Sequence, residues 1–131
     1  MNAFHSNLLV RVATNDDFAQ VAAVRQLIDL HVVFISRTVL LETEWVLRAS
    51  YRQSKEAIHG FMRALLQTEN TVIEDHERVE QALSWYYLGA DFADALHLAA
   101  CGTAPLHTFD RGFCKAAREQ GIAPAVRILE I

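Results

Sequence analysis

Apolar residues along this chain follow two habits. Over long stretches they recur every three or four positions, as in helices with one buried face; between those stretches come short runs that are apolar throughout, as buried strands are. On this pattern residues 2–6 (NAFHS) predict a short first strand, and Asn7 opens a helical segment through LLVRVA. A second helix begins at Asn15 or Asp16, either of which can cap it, and places Phe18, Val21, Val24 and Ile28 on one face. The run VVFI at 32–35 predicts a buried parallel strand, followed by a third helix over 38–51. A fourth helix starts after Ser54, with Ile58, Phe61, Met62, Leu65 and Leu66 facing inward. Residues 70–73 form a weaker strand candidate, Asp75 caps a fifth helix that ends at Gly89, and Asp91 caps a sixth. Pro105 ends the turn after it, LHTF predicts a strand, a seventh helix runs over 111–120, and VRILEI closes the chain as a last strand.

Strands separated by helices imply an α/β sandwich with a parallel sheet, and ligand sites in such sheets form beyond the C-terminal ends of the strands. His5 with Ser6, Ser36 and Asp110 all stand at predicted strand ends. The 131 residues show no repeat, linker or low-complexity run, so one domain over 1–131 is expected.

Composition narrows the function classes. With 52% hydrophobic residues, five glycines and two prolines the chain is suited to a compact, helix-rich core. It has no apolar run near the roughly 18 to 20 residues a membrane helix needs and no signal-like start, so the expected location is the cytoplasm, with no membrane partner. Cys101 and Cys114 have no metal-ligand spacing and are expected to be reduced structural thiols. A net charge of −4 provides no global field for nucleic acid, so such a partner needs a local basic patch.

The carboxylates hold the candidate chemistry. A wheel at about 100° per residue puts Glu42 near the middle of an apolar arc of the third helix with Leu41, Trp45, Val46 and Ala49, while Glu44 falls on the other side, in reach of Arg48. A charge in an apolar arc must be paired, protonated or metal-bound, so Glu42 is either a ligand or the partner of an arginine from elsewhere. Asp91 and Asp94 lie one helical turn apart at the head of the sixth helix; Asp91 has an equally good reading as its N-cap. Asp110 ends a strand and can cap the seventh helix, bind a ligand, or both. Acids from three elements pointing past one sheet edge suit Mg²⁺ or Mn²⁺, which favour oxygen ligands, and hence metal-assisted phosphodiester hydrolysis.

FHSNLLVRVATNDD near the start, LLETEWVLRASY in the third helix, GADFADALHLAA in the sixth and LHTFDRGF at the fourth strand together resemble a PIN-domain ribonuclease toxin of the VapC type, over essentially the whole chain. The resemblance implies a three-layer PIN-like α/β fold with a central, mostly parallel sheet of about five short strands flanked by helices. It also implies a Mg²⁺- or Mn²⁺-dependent endoribonuclease acting on RNA, with tRNA among the candidates, that forms a homodimer and is inhibited by a cognate antitoxin. Its acidic positions correspond to Glu42, Asp94 and Asp110, with Asp91 accessory, and its polar positions to Ser6, Asn7 and Thr108. The family's first aspartate is replaced by His5. Neutral imidazole is a poor Mg²⁺ ligand and protonated imidazole repels the ion, so this copy is expected to be weak or inactive. A disarming engineered substitution, natural loss of activity and a shifted metal preference each account for His5.

Arg111, Lys115 and Arg118 recur at i, i+4 and i+7 on the predicted seventh helix, and Arg11 lies near His5; these are the RNA-phosphate candidates, with a solvated helix face as the alternative. Arg48, Arg52 and Lys55 with Tyr51 make a second candidate edge. Trp45, Tyr51, Trp85, Tyr86 and Tyr87 exceed what one small core needs, although Trp45 and Trp85 are expected inside it. The main rival function is a catalytically dead PIN-like module that binds an antitoxin or RNA.

Overall fold

The computed structural model describes residues 1–121 and 124–131. Its elements run β1 (Asn2–Ala3), α1 (Ser6–Thr14), α2 (Phe18–Leu30), β2 (Val33–Ile35), α3 (Arg37–Ala49), α4 (Lys55–Leu66), β3 (Thr71–Ile73), α5 (His76–Tyr87), α6 (Phe92–Ala100), β4 (Leu106–Thr108), α7 (Lys115–Glu119) and β5 (Val126–Ile128). This is the expected α/β class with short parallel strands. They are hydrogen-bonded as a three-stranded sheet in the order β1-β2-β3 and a two-stranded sheet β4-β5. The chain forms two compact units, Met1–His76 and Glu77–Ile131.

In the first unit β2 is central, pairing in parallel with β1 (Asn2 opposite Val33) and with β3 (Ile35 opposite Ile73). Val33 and Ile35 are fully buried, as the all-apolar run required. Helices α2, α3 and α4 each start on a capping side chain. Asp17 accepts the Gln20 amide, Ser36 the Val39 amide and Ser54 the Ala57 amide, satisfying donors that have no partner inside the helix. The second helix therefore begins after Asp17, later than Asn15 or Asp16. Asn15 instead ends α1 in the left-handed region at φ 52°. Consequently Phe18 is 90% exposed and not part of the inward face, which Val21 and Val24 form.

The third helix corrects the wheel. Its buried stripe is Leu40, Thr43, Glu44 and Leu47, spaced i, i+3, i+4, i+7. Glu42 lies outside it with its side chain 55% exposed, and Trp45, expected in the core, is 56% exposed. The inversion has a polar cause. Thr43 Oγ1 donates to the Val39 carbonyl at 2.7 Å, and Arg48 Nε donates to Glu44 Oε2 at 2.9 Å, so both polar residues enter the interior satisfied. The Glu44–Arg48 pair matches the expectation; its burial does not.

In the second unit α5 buries Val79, Leu83, Trp85 and Tyr86, and α6 buries Phe92, Ala95, Leu96, Leu98 and Ala99, leaving both sides of α6 covered. Tyr86 and Phe92 meet edge to face with centroids 5.3 Å apart. Gly89, at φ +113°, serves as the left-handed stop after α5. The seventh helix is shorter than its pattern predicts. Residues 111–114 are turns, and Cys114, itself left-handed at φ 44°, precedes the five residues of α7.

Removing the guanidinium from the buried Glu44 leaves a carboxylate short of charge-assisted donors. Arg48→Ala is expected to lower stability by about 1–3 kcal/mol, read as a shifted urea midpoint at unchanged slope, with Arg48→Lys recovering part of the loss. A change under about 0.5 kcal/mol would mean that Glu44 is held by other groups.

Candidate active site

The first unit brings together three of the expected residues at the turn from β1 into α1. His5 has extended backbone (φ −84°, ψ 156°) and is the N-cap of α1, its Nδ1 accepting the Asn7 amide at 3.3 Å. Ser6 is buried, and its Oγ donates to Glu42 Oε1. His5 Nε2 stands 4.0 Å from the same oxygen. Asn7 contributes its backbone to this turn and is itself exposed.

A neutral ring whose Nδ1 accepts a hydrogen bond carries its proton on Nε2, facing Glu42. Nε2 can bind a metal only if the proton moves to Nδ1 and the cap is lost. His5 thus preserves the helix start that an aspartate would make, without the negative charge that also gains from the helix dipole.

The second unit gathers the aspartates. Asp91 caps α6, its Oδ2 accepting the Asp94 amide at 3.1 Å, so its capping role is realised. Asp110 does not cap α7, which starts five residues later; its Oδ1 instead accepts the Gly112 amide at 2.9 Å in a tight turn. Thr108 Oγ1, at the end of β4, accepts the Asp110 amide at 3.1 Å. Asp91 and Asp94 border a cleft of about 450 Å³ together with Gly112, Cys114, Lys115 and Glu119.

Electrostatics in this unit follow from crowding. Burial, then the charge of Asp91, push the Asp94 carboxyl above the ordinary aspartate range; Asp110 adds to the rise and His97 opposes it. Burial and then Asp94, Asp91 and Asp110 drive the Cys114 thiol up to about 12, so it stays protonated and unreactive. Both cysteines are free, as expected. Nothing in the sequence marks Cys114 as a neighbour of the acidic cleft, because its left-handed turn interrupts what reads as continuous helix.

A family model for the PIN domain matches residues 5–119. The chain belongs to the PIN-domain family. PIN domains are generally nucleases that use a divalent metal, and this one shares their nuclease-like character. Among curated proteins and solved structures, none matches the chain.

The donors of this PIN domain suit a hard cation. They are carboxylate oxygens whose mutual repulsion a positive ion would relieve, and Mg²⁺ is characteristically held by one or two carboxylates plus water. Among the described residues no group of three or more His, Cys, Asp or Glu side chains is gathered closely enough to hold a metal ion.

The basic candidates separate. Arg11 pairs with Asp16 at 3.3 Å, Arg111 with Glu130 at 3.5 Å, and Arg118 Nη1 donates to the Arg111 carbonyl at 3.1 Å. Their expected i, i+4, i+7 stripe does not exist, because Arg111 precedes α7 and lies in a turn. Of the second candidate edge, Arg48 is bound to Glu44, while Arg52 and Tyr51 are exposed. Trp85 and Tyr86 are core residues, whereas Tyr87 is 55% exposed.

The upward shift of Asp94 has a definite sign. The folded state favours the protonated acid, so the stability penalty is absent below the unfolded-state pKa and fully present above the raised folded one. Asp94→Asn is expected to raise the melting temperature at neutral pH, with the two proteins converging as pH falls through the ordinary aspartate range. Calorimetry across pH checks this; a variant less stable at pH 7 would refute it.

Proposed function

We propose that this PIN domain is a Mg²⁺- or Mn²⁺-dependent endoribonuclease toxin of a toxin-antitoxin pair, and that His5 weakens or abolishes activity in this copy. Glu42, Asp94 and Asp110 are its catalytic and metal-binding acids, Asp91 is accessory, and Ser6, Asn7 and Thr108 are the supporting polar residues. The single observation that supports this most is the crowding of Asp94 by Asp91 and Asp110 beside an open cleft. Like charges held together in a partly buried place destabilise a fold unless a cation or a function gains from them.

The bound cation supplies a water of lowered pKa and neutralises charge on the phosphodiester. The protein's own residues prepare the acids for that role. Ser6 Oγ fixes one oxygen of Glu42, the Gly112 amide fixes one of Asp110, and the Thr108 hydroxyl holds the Asp110 backbone, so both carboxylates are oriented before RNA arrives. His5 places an imidazole Nε2 4.0 Å from Glu42 where the resemblance has a carboxylate, and an imidazole holds a hard cation less well.

A cytoplasmic setting, an antitoxin partner and a homodimer complete the proposal. Exposed apolar residues of α2 support a protein partner: Phe18 is 90% exposed, Leu30 67% and Leu27 37%. No helix of the described residues is long and apolar enough to cross a membrane. One observation favours a second reading, a binding module without catalysis, namely that His5 is used as a cap with its Nε2 4.0 Å from Glu42.

Replacing His5 by aspartate separates the two. His5→Asp is expected to gain Mg²⁺-dependent cleavage of RNA, at least on the order of a hundredfold above the parent, a change typical of restoring a group that steadies transition-state charge. Adding Asp94→Asn to that variant should abolish the gain. Equal activity of parent and His5→Asp would refute the role given to position 5, and an inactive His5→Asp protein that binds RNA or antitoxin would establish the binding module.

A further inference from the structure

We infer that Lys115 is the side chain that anchors a backbone phosphate of the RNA beside Asp91 and Asp94, and that it governs affinity more than the chemical step. This rests on the reading of the protein as an RNA-binding nuclease and goes beyond it by selecting one residue from four basic candidates.

Three of the four are committed elsewhere. Arg11 pairs with Asp16 and borders a different cleft, with Asn7 and Leu27. Arg111 pairs with Glu130, and Arg118 gives a guanidinium hydrogen to a backbone carbonyl. Lys115 is exposed and borders the acidic cleft with Asp91, Asp94 and Glu119. Among the described residues its ammonium has no ion pair or hydrogen bond, although Glu119 follows four positions later on α7.

The location gives that freedom a use. An acidic cleft repels a polyanion, so a phosphate next to the carboxylates needs an adjacent positive charge that can reach it. Lysine is suited to this role, since its ammonium is a point charge on a flexible stem, with three donors and no demand for a fixed planar partner. Gly112, which borders the same cleft, adds no side chain in front of it.

The test measures binding and cleavage separately on the full chain. Fluorescence anisotropy of a labelled single-stranded RNA oligonucleotide, in EDTA over a range of salt, is read for the parent, Lys115→Gln, Lys115→Arg and Arg111→Gln. Lys115→Gln should weaken binding about tenfold. It should also flatten the dependence of log affinity on log salt by about 0.7, the contribution of one phosphate contact on a single strand. Lys115→Arg should retain the slope, and Arg111→Gln should leave both quantities near the parent's. In the His5→Asp background, Lys115→Gln should raise KM with kcat changed less than about threefold.

Unchanged affinity and slope in Lys115→Gln would overturn the inference, as would a parent that shows no salt-dependent RNA binding. If the lysine dependence of binding holds while His5→Asp cleaves nothing, the anchor stands and the nuclease reading falls. If His5→Asp cleaves RNA and Lys115→Gln alters neither KM nor the salt slope, the anchor alone falls.

Discussion

Strands of two or three residues leave almost no length between a buried interior and the next helix. Val33, Ile35 and Ile73 occupy the buried positions, so polar side chains are pushed to the residues immediately after each strand, where the chain must also start a helix or turn. His5 closely follows β1 and caps α1, and Ser36 follows β2 and caps α3. Glu74 follows β3 and accepts the Arg37 amide at 2.9 Å, which holds its carboxyl below the usual range. Thr108 ends β4 and accepts the Asp110 amide. The functional candidates are thus residues through which the fold satisfies its own backbone, and structure and chemistry compete for the same atoms.

That competition is uneven among the acids. Asp91 gives one oxygen to a helix cap and Asp110 gives one to a turn, so each carboxylate already accepts a backbone N–H. The Asp94 carboxylate has no such donor among the described residues, and burial first, then its neighbours' charges, raise it above the ordinary aspartate range. The acid least engaged in holding the fold is the one with most to gain from a cation. Glu42 is intermediate, since a single hydroxyl from buried Ser6 orients it while more than half of the side chain faces solvent.

The parts of this arrangement that depend on local sequence are legible in it, and those that depend on how polar groups satisfy each other are not. Val33 to Ile35, the caps Ser54 and Asp91 and the stop at Gly89 follow from apolar runs and cap chemistry, which act over a few residues. The face of α3 does not follow, because a wheel ranks residues by type. It cannot see that Arg48 lets Glu44 go inside, nor that Thr43 satisfies itself on Val39, and with those two inward Trp45 and Glu42 turn out. Residues 111–114 escape for a similar reason. Their composition is compatible with a helix, yet the turn that Asp110 stabilises through Gly112 delays α7 until Lys115, dissolving the stripe of Arg111, Lys115 and Arg118. The apolar-arc case for Glu42 rests on a burial that the structure removes; what supports the residue is its contact with Ser6 and its place in the motif LLETEWVLRASY.

Position 5 shows how the fold and the proposed chemistry can make different demands on one residue. His5 accepts the Asn7 amide where α1 starts, and the proposed chemistry asks that position for a negative charge as well. Imidazole meets the first demand through Nδ1 and fails the second. Meeting the first also constrains what else it can do: Nε2, the atom 4.0 Å from Glu42, could ligate a borderline metal in a neutral ring only with the proton on Nδ1, which would cost the cap. A shifted metal preference is therefore the least favoured of the explanations for His5. The geometry shows a histidine serving the helix start; on the proposed function, it does so without the charge that would help hold a cation.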